Sequence, residues 1–371
     1  MNQKPKIAIV CDWLTNLGGA EQVILDMHEA FPEAPIYTSI YNPAKLPQFK
    51  DAEIITSFIQ KWPLAKKAHQ LYLGLMPYAF ESFDLSQYDI VLSSSFACSK
   101  GLITKPETLH ICYCHNPMRY VWDDSHSYLK EHGFPWIVKA LAKPILHRIR
   151  IWDTLAAKRV DKYIANSKFV SKRIQKYYHA DSKVIHPGVR FNQSEINLKA
   201  EKEDFYIAVG RLKAYKKFNL LVKSFNQTQK KLYIIGTGEH LNYLKKINTN
   251  PNTEFLGFVD EEDLKHYYQN AKALLFPQCE DFGIIPIEAQ YFGCPVIAYN
   301  KGGATETVIN TKTGILFDKQ NVDSIIKAID HFETLDLNPT EIHKHAQKFQ
   351  SKNFQEQLKQ YVHEAYTDYR S

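Results

Sequence analysis

FYIAVGRLKAYKKFNLLVKSF (residues 205–225) decides how this chain is divided. Its first five residues are continuously apolar, a run of the right length for a strand buried on both faces. Gly210 then breaks the run, and the apolar spacing beyond Asn219 turns helical. A strand passing through a glycine turn into a helix is the opening step of a doubly wound α/β domain. The same step already stands near the N-terminus, where IAIVCDWLTNLGGAEQV (7–23) runs from strand through a glycine pair into a helix. The pattern starts twice, so two parallel-sheet domains are expected.

The rest of the sequence fits that division. In the first half, DIVLSS (89–94), LHICYC (109–114) and KYIAN (162–166) are further buried-strand runs. In the second half they are LYIIG (232–236), ALLFP (273–277) and PVIAY (295–299). Helical stretches lie between them, among them 21–30, 219–228, 260–271 and 322–332. The expected architecture is α/β with two Rossmann-like domains, 1–187 and 188–345, facing across a cleft with ligands at the carboxyl ends of the strands. The polar stretch RFNQSEINLKAEKED within 181–203 and just beyond is the expected linker. The tail 346–371 reads as a helix whose stripe (Ala346, Phe349, Phe354, Leu358, Val362, Ala365) packs back on the first domain.

Composition excludes several classes. A run of about 18 apolar residues, the length that crosses a bilayer, does not occur. The opening MNQKPKIAIVCDW has no h-region, so no signal peptide is expected. Six cysteines without paired CxxC units read as buried, reduced thiols of a cytoplasmic protein. The net charge of +6 is unevenly placed. Residues 1–187 hold 23 Lys+Arg against 17 Asp+Glu, whereas 188–371 hold 23 of each. Within 128–183 the basic residues outnumber the acidic 13 to 4, so an anionic partner is expected for the first half. No RNA- or DNA-binding module matches, and nucleic acid is not an expected partner.

Four constellations bear on chemistry. Gly18 and Gly19 open the first helix, where backbone amides and the helix dipole can receive an anion; the pair also reads as a simple tight turn. Gly236-Thr237-Gly238 is equally ambiguous, and no Gly-Lys-Ser/Thr follows it, which excludes a Walker loop. Arg211 and Lys216 follow a strand end and could clamp a diphosphate, although Lys213 and Lys217 beside them fit a solvated helix start as well. FPQCEDFGIIPIEA (276–289) is the strongest signal. A strand ends, an acidic turn follows, and Gly283, Ile284 and Ile285 form a free helix N-terminus. Glu280 and Glu288 stand beside it as acceptors for sugar hydroxyls, since two carboxylates at an anion site need donors.

This last stretch resembles the Glu-x7-Glu motif of retaining glycosyltransferases of family 4, which have the GT-B fold. Further segments resemble the same family in order: GGAE (18–21), GRLKAYK (210–216), IIGTGEHLNYL (234–244), FLGFVDEEDL (255–264) and GGATETV (302–308). CHNPMRYVWD (114–123) and IANSKFVSKRI (164–174) resemble a bacterial subgroup that builds envelope polysaccharides and is often described as mannosyltransferases. Thr237 and Cys279 depart from the pattern, where acidic residues are common.

The resemblance implies site roles. Arg211 and Lys216 would bind the donor diphosphate with the amides near Gly19, Ile284 and Ile285. Glu280 would hold the transferred sugar and Glu288 the ribose, while Phe258, Val259 and Leu264 would border the base. His115 would stand at the reacting centre on the acceptor side, and its alternative is a histidine satisfied in a strand–loop turn. Asp12, at the end of the first strand, is a further acceptor-side candidate. The implied reaction moves a hexose, with GDP-mannose the leading donor, to a lipid-diphosphate-linked O-antigen or exopolysaccharide, by same-face substitution. No cofactor and no metal are expected, because no DxD pair sits in a suitable loop. A UDP-sugar transferase, a sugar-phosphate synthase with a soluble acceptor, and a non-catalytic nucleotide-sugar or polyanion binder are the alternatives. FPWIVKALAKPILHRIRIW (134–152), assisted by 55–83, mixes apolar and basic residues as an anionic membrane surface at the inner face of the plasma membrane would require; a buried helix with a solvated basic face fits equally.

Overall fold

The computed structural model describes residues 4–123, 136–191 and 196–371, without the side chains of 136–141. Two compact units result: residues 1–188 together with 351–371, and Val189–Gln350. Of the basic–apolar stretch 134–152, Phe134 and Pro135 lie outside the described residues.

In the first unit the chain alternates β1 (Ile7–Cys11), α1 (Gly19–Ala30), β2 (Ile36–Thr38), β3 (Ile54–Thr56), α2 (Met76–Glu81), β4 (Ile90–Ser95), β5 (Leu109–Cys114), α3 (Trp136–Ala157), β6 (Lys162–Ala165), α4 (Lys168–Tyr178) and β7 (Ser182–Val184). All seven strands are parallel, in the order β3-β2-β1-β4-β5-β6-β7. β1, β4 and β5 are buried on both faces apart from the first residue of β1, which is why they read as unbroken apolar runs. The edge strands β3 and β7, and β2 next to β3, have only three residues each, too short to give a legible period.

The second unit repeats the scheme with β8 (Phe205–Val209), α5 (Phe218–Phe225), β9 (Lys231–Ile235), α6 (Leu241–Ile247), β10 (Thr253–Gly257), α7 (Glu261–Asn270), β11 (Ala273–Phe276), α8 (Ile284–Tyr291), β12 (Val296–Tyr299), α9 (Ala304–Thr307), β13 (Gly314–Phe317), α10 (Val322–Phe332) and α11 (Pro339–Ala346). Its six parallel strands run β10-β9-β8-β11-β12-β13. The two sheets are the doubly wound pair that the sequence predicts.

The tail is divided between the units. α11 and the 3-10 turn Gln347–Phe349 stop at Gln350, whose extended backbone (ψ 147°) breaks the helical path. Ala346 and Phe349 therefore lie in the core of the second unit. α12 (Ser351–Arg370) starts afresh and buries Phe354, Leu358, Val362 and Ala365 among Ile9, Ile24 and Tyr113 of the first. One apolar period thus serves two cores. Of the polar stretch expected as the linker, residues 192–195 lie outside the described residues; at its start Phe191 stacks on Tyr291 at 3.6 Å, and Val189 just before it donates its N–H to Phe349 O at 2.7 Å.

Candidate active site

Each unit has a switch point, where strands next to each other in the sheet send their following helices to opposite faces and leave a crevice at the carboxyl ends. In the second unit it lies between β8 and β11. Beyond β8 stands Arg211, exposed, its guanidinium without a hydrogen bond or ion pair among the described residues. A 3-10 turn, Ala214–Lys216, then folds Lys216 inward. Lys216 is buried, with Nζ 2.5 Å from Glu280 Oε1. The two charges come from loops on either side of the crevice and neutralise each other there.

Glu280 is held by its own loop. Gly303 N–H donates to the Glu280 carbonyl at 2.9 Å, and Gly302 (φ +76°) stands so close that a Cβ would lie 2.3 Å from that oxygen. Only glycine permits both the backbone angle and the approach. α8 follows from Gly283 (φ +89°), with no side chain capping its first turn. The amides of Ile284 and Ile285 therefore lack intrahelical partners, and Pro286 has no amide to offer. On the strand side, Gly236 (φ +131°) allows the β9 loop to approach the Gly210 carbonyl, where a Cβ would stand 2.0 Å away. A Cβ placed on Gly210 would be 3.6 Å from Lys216 Nζ and 3.7 Å from Ile285 Cδ1, which brings strand end, ammonium and α8 together.

Glu288 lies one turn further along α8, half-buried, and accepts from the Tyr268 hydroxyl at 3.4 Å. Burial pushes its carboxyl up to about 7, against that hydrogen bond. At the end of β10, Phe258 is 82% exposed. Val259 and Leu264 pack partly against the core behind it.

In the first unit the switch point lies between β1 and β4. Asp12 fills it. Oδ2 accepts from the Phe96 and Ala97 amides at 2.8 and 2.9 Å, and Oδ1 from Cys98 and Ser99 at 2.6 and 2.7 Å. The carboxylate is 1% exposed. This corrects the reading of Asp12 as an acceptor-side group: its oxygens are consumed by the chain's own amides. The loop continues into Lys100, buried in an ion pair with Asp153, which also accepts from Trp122 Nε1 (2.8 Å) and the Tyr178 hydroxyl (2.9 Å).

His115 follows β5, its Nε2 2.8 Å from Ser94 Oγ, with Phe96 and Tyr113 edge-on to the ring. Burial lowers the imidazole to about 4, so the ring is neutral at physiological pH. Gly18 and Gly19 are exposed at the start of α1, which has no side-chain cap. Among the described residues no three His, Cys, Asp or Glu side chains gather as a metal site.

The structure brings Arg211, Lys216, Glu280, Gly283, Ile284, Ile285 and Glu288 to one crevice, and His115, Gly18 and Gly19 to strand ends of the other unit. Sequence reasoning missed Tyr268 and Ser94, which have no motif of their own. The motif GGATETV by itself does not reveal that Gly302 and Gly303 seat the Glu280 loop.

Comparison with known proteins gives the same division. Residues 17–193 match the model described as Glycosyltransferase Family 4, and residues 189–351 the model described as Glycosyl transferases group 1. An alpha-1,3/1,6-mannosyltransferase ALG2 of Kluyveromyces lactis is 23% identical, over 79% of this chain and 69% of that protein. Sucrose-phosphate synthase from Thermosynechococcus elongatus superposes with a TM-score of 0.71 at 17% identity, covering 98% of this chain and all of that one. HepE of Anabaena in complex with UDP does so with 0.67 at 17% identity, covering 97% of this chain and all of HepE.

Proposed function

Because the chain is a glycosyltransferase of the two-domain GT-B architecture, with a family 4 domain followed by a group 1 domain, we propose that it moves a hexose from a nucleotide sugar to a saccharide acceptor with retention at the anomeric carbon. One observation carries this reading: the buried Lys216–Glu280 pair at the foot of an uncapped helix, with Arg211 free beside it.

Breaking the anomeric C–O bond leaves positive charge on the sugar and negative charge on the departing diphosphate. Lys216, Arg211 and the Ile284–Ile285 amides meet the latter, an electrostatic contribution typically worth several kcal/mol. Glu280 accepts from the sugar hydroxyls once Lys216 turns to phosphate, and it faces the growing positive charge. Glu288 accepts from the ribose hydroxyls, and Phe258 stacks on the base. The acceptor hydroxyl forms its bond on the face the diphosphate leaves, and its proton passes to the departing phosphate oxygen. His115, neutral and oriented by Ser94, is the proposed acceptor-side group of the first unit. The protein's own cations take the charge a metal would, so EDTA is expected to leave turnover unchanged.

The preferred donor is GDP-mannose, in line with the mannosyltransferase name of the yeast relative. UDP-sugars are the second reading, since HepE is described in complex with UDP. The basic first half supports an anionic acceptor, with a lipid-diphosphate-linked envelope saccharide as the leading reading and a soluble sugar phosphate as the second. A thermal-shift panel of GDP-, UDP- and ADP-sugars tests the donor: one base class should raise Tm by several degrees at saturation. NMR of the product's anomeric proton tests retention, and an inverted product rejects it. No transfer or stabilisation with any nucleotide sugar would reduce the chain to a binding protein.

A further inference from the structure

We propose that the first unit carries a docking face for an anionic phospholipid bilayer, built from residues 61–78 and the outward side of α3. This goes beyond the transfer reaction and stands on surface chemistry alone. Of the thirteen large apolar side chains exposed among the described residues, eight lie on these two segments. Leu71 is 70% exposed, Tyr78 63% and Leu64 61%, with Trp62 close by. On α3, Ile145, Ile151 and Leu155 are each about half exposed. A Cβ at Gly74 would stand 4.0 Å from Ile145 Cγ2, so the two segments adjoin. Behind them Met76 and Phe80 share one core with Leu146 and Ile149, which fixes the face as a single surface. Eight exposed large apolar side chains gathered on two adjoining segments of one folded unit mark an interaction site.

Charge selects the occupant. Residues 61–80 contain no Asp or Glu, and the one acid in 142–158, Asp153, is buried on Lys100. Lys61, Lys66, Lys67, Lys143, Arg148 and Lys158 are exposed, and none forms an ion pair among the described residues. Exposed apolar side chains and unpaired cations on the same two adjoining segments match the interface of an anionic bilayer, which offers acyl chains beneath phosphate. A second copy of the chain would set the same cations against each other across a two-fold axis. Nucleic acid would satisfy the charges and leave Leu64, Leu71 and Ile151 in water.

The test is flotation of the full chain with vesicles of phosphatidylcholine alone and of phosphatidylcholine with phosphatidylglycerol, at low and high salt. The protein should float with the anionic vesicles, bind neutral ones weakly, and detach as salt rises. Lys66→Gln with Lys67→Gln should cut partitioning about 25-fold, at roughly fivefold per charge. Leu71→Glu and Ile151→Glu should each reduce it further without changing the urea midpoint. The lysine variants retain the test if a leucine variant misfolds. No flotation, or equal binding to neutral vesicles, overturns the proposal. So does a concentration-dependent dimer in sedimentation that Leu71→Glu dissolves, since the face would then belong to a second copy. Flotation needs no donor, so it can fail while sugar transfer to a soluble acceptor analogue persists, and the reverse.

Discussion

Both units place a carboxylate at their switch point, and they use it in opposite ways. Asp12 in the first unit is closed off by four consecutive amides and is 1% exposed. Glu280 in the second unit faces a single lysine, beside a helix N-terminus that nothing caps. The same crevice of the same fold is sealed in one unit and chemically open in the other. A carboxylate saturated by amides has no lone pair left for a ligand, whereas a carboxylate paired with a lysine can exchange that partner for hydroxyls as the lysine turns to phosphate. Fold position alone therefore does not make a catalytic group; unspent hydrogen-bonding capacity does.

Substitution at the open site should have the largest effect. Lys216→Ala removes the buried cation and should lower kcat roughly 100- to 1000-fold, as loss of a preorganised charge-stabilising group does. Initial rates at saturating donor measure this, and a loss under tenfold would make the pair structural. At the sealed site the effect should be on folding. Asp12→Ala strands four buried amides and should cost about 3 kcal/mol in urea unfolding, while donor binding by the second unit stays unchanged. Weaker donor binding with intact stability would erase the distinction between the two carboxylates.

Glu288 sharpens the comparison through pH. Its carboxyl titrates near 4.5 in the unfolded chain and about 7 in the fold, because burial disfavours the charge. The protonated form is thus the one folding favours, so its stabilising contribution is full below pH 4.5 and is lost as pH rises through 7. Glu288→Gln should raise stability at pH 8 by up to about 3 kcal/mol and change nothing near pH 4.5. Ribose hydroxyls donate to the ionised form, so donor affinity of the native chain should tighten between pH 6 and 8 and stay flat in the variant. Calorimetry across that range reads both. The smallest effect is expected at Phe258→Ala, a loss of about fivefold to tenfold in nucleotide affinity from lost stacking, with kcat little changed.

Much of the fold was legible because its signals are local. Buried parallel strands such as LHICYC at 109–114 are unbroken apolar runs, and β5 occupies those residues. The three-residue strands β2 and β3 escaped because so few residues carry no period, whereas β7 falls at the start of the apolar run KVIHPGV (183–189). The tail stripe looked continuous because helical spacing persists across Gln350, although the backbone does not. Within the site, Glu280, Glu288, Arg211 and Lys216 stood out by charge beside strand ends and glycines. Tyr268 and Ser94 could not, since a tyrosine in a helix and a serine in a strand are ordinary until the opposing loop is known.

The sequence by itself determined two doubly wound domains, the placement of the excess positive charge in the first half, and the residues that crowd the second switch point. Periodicity and glycine turns are short-range properties, and net charge is a sum, so neither needs coordinates. Only the tertiary structure decided which carboxylate is spent and which is available. That depends on loops more than 60 residues apart meeting at the ends of neighbouring strands: 12 with 96–99 in one unit, 216 with 280 in the other. It also decided that α12 completes the first core and that the leucines of 61–78 face outward, because burial is a property of the packed chain and not of any segment within it.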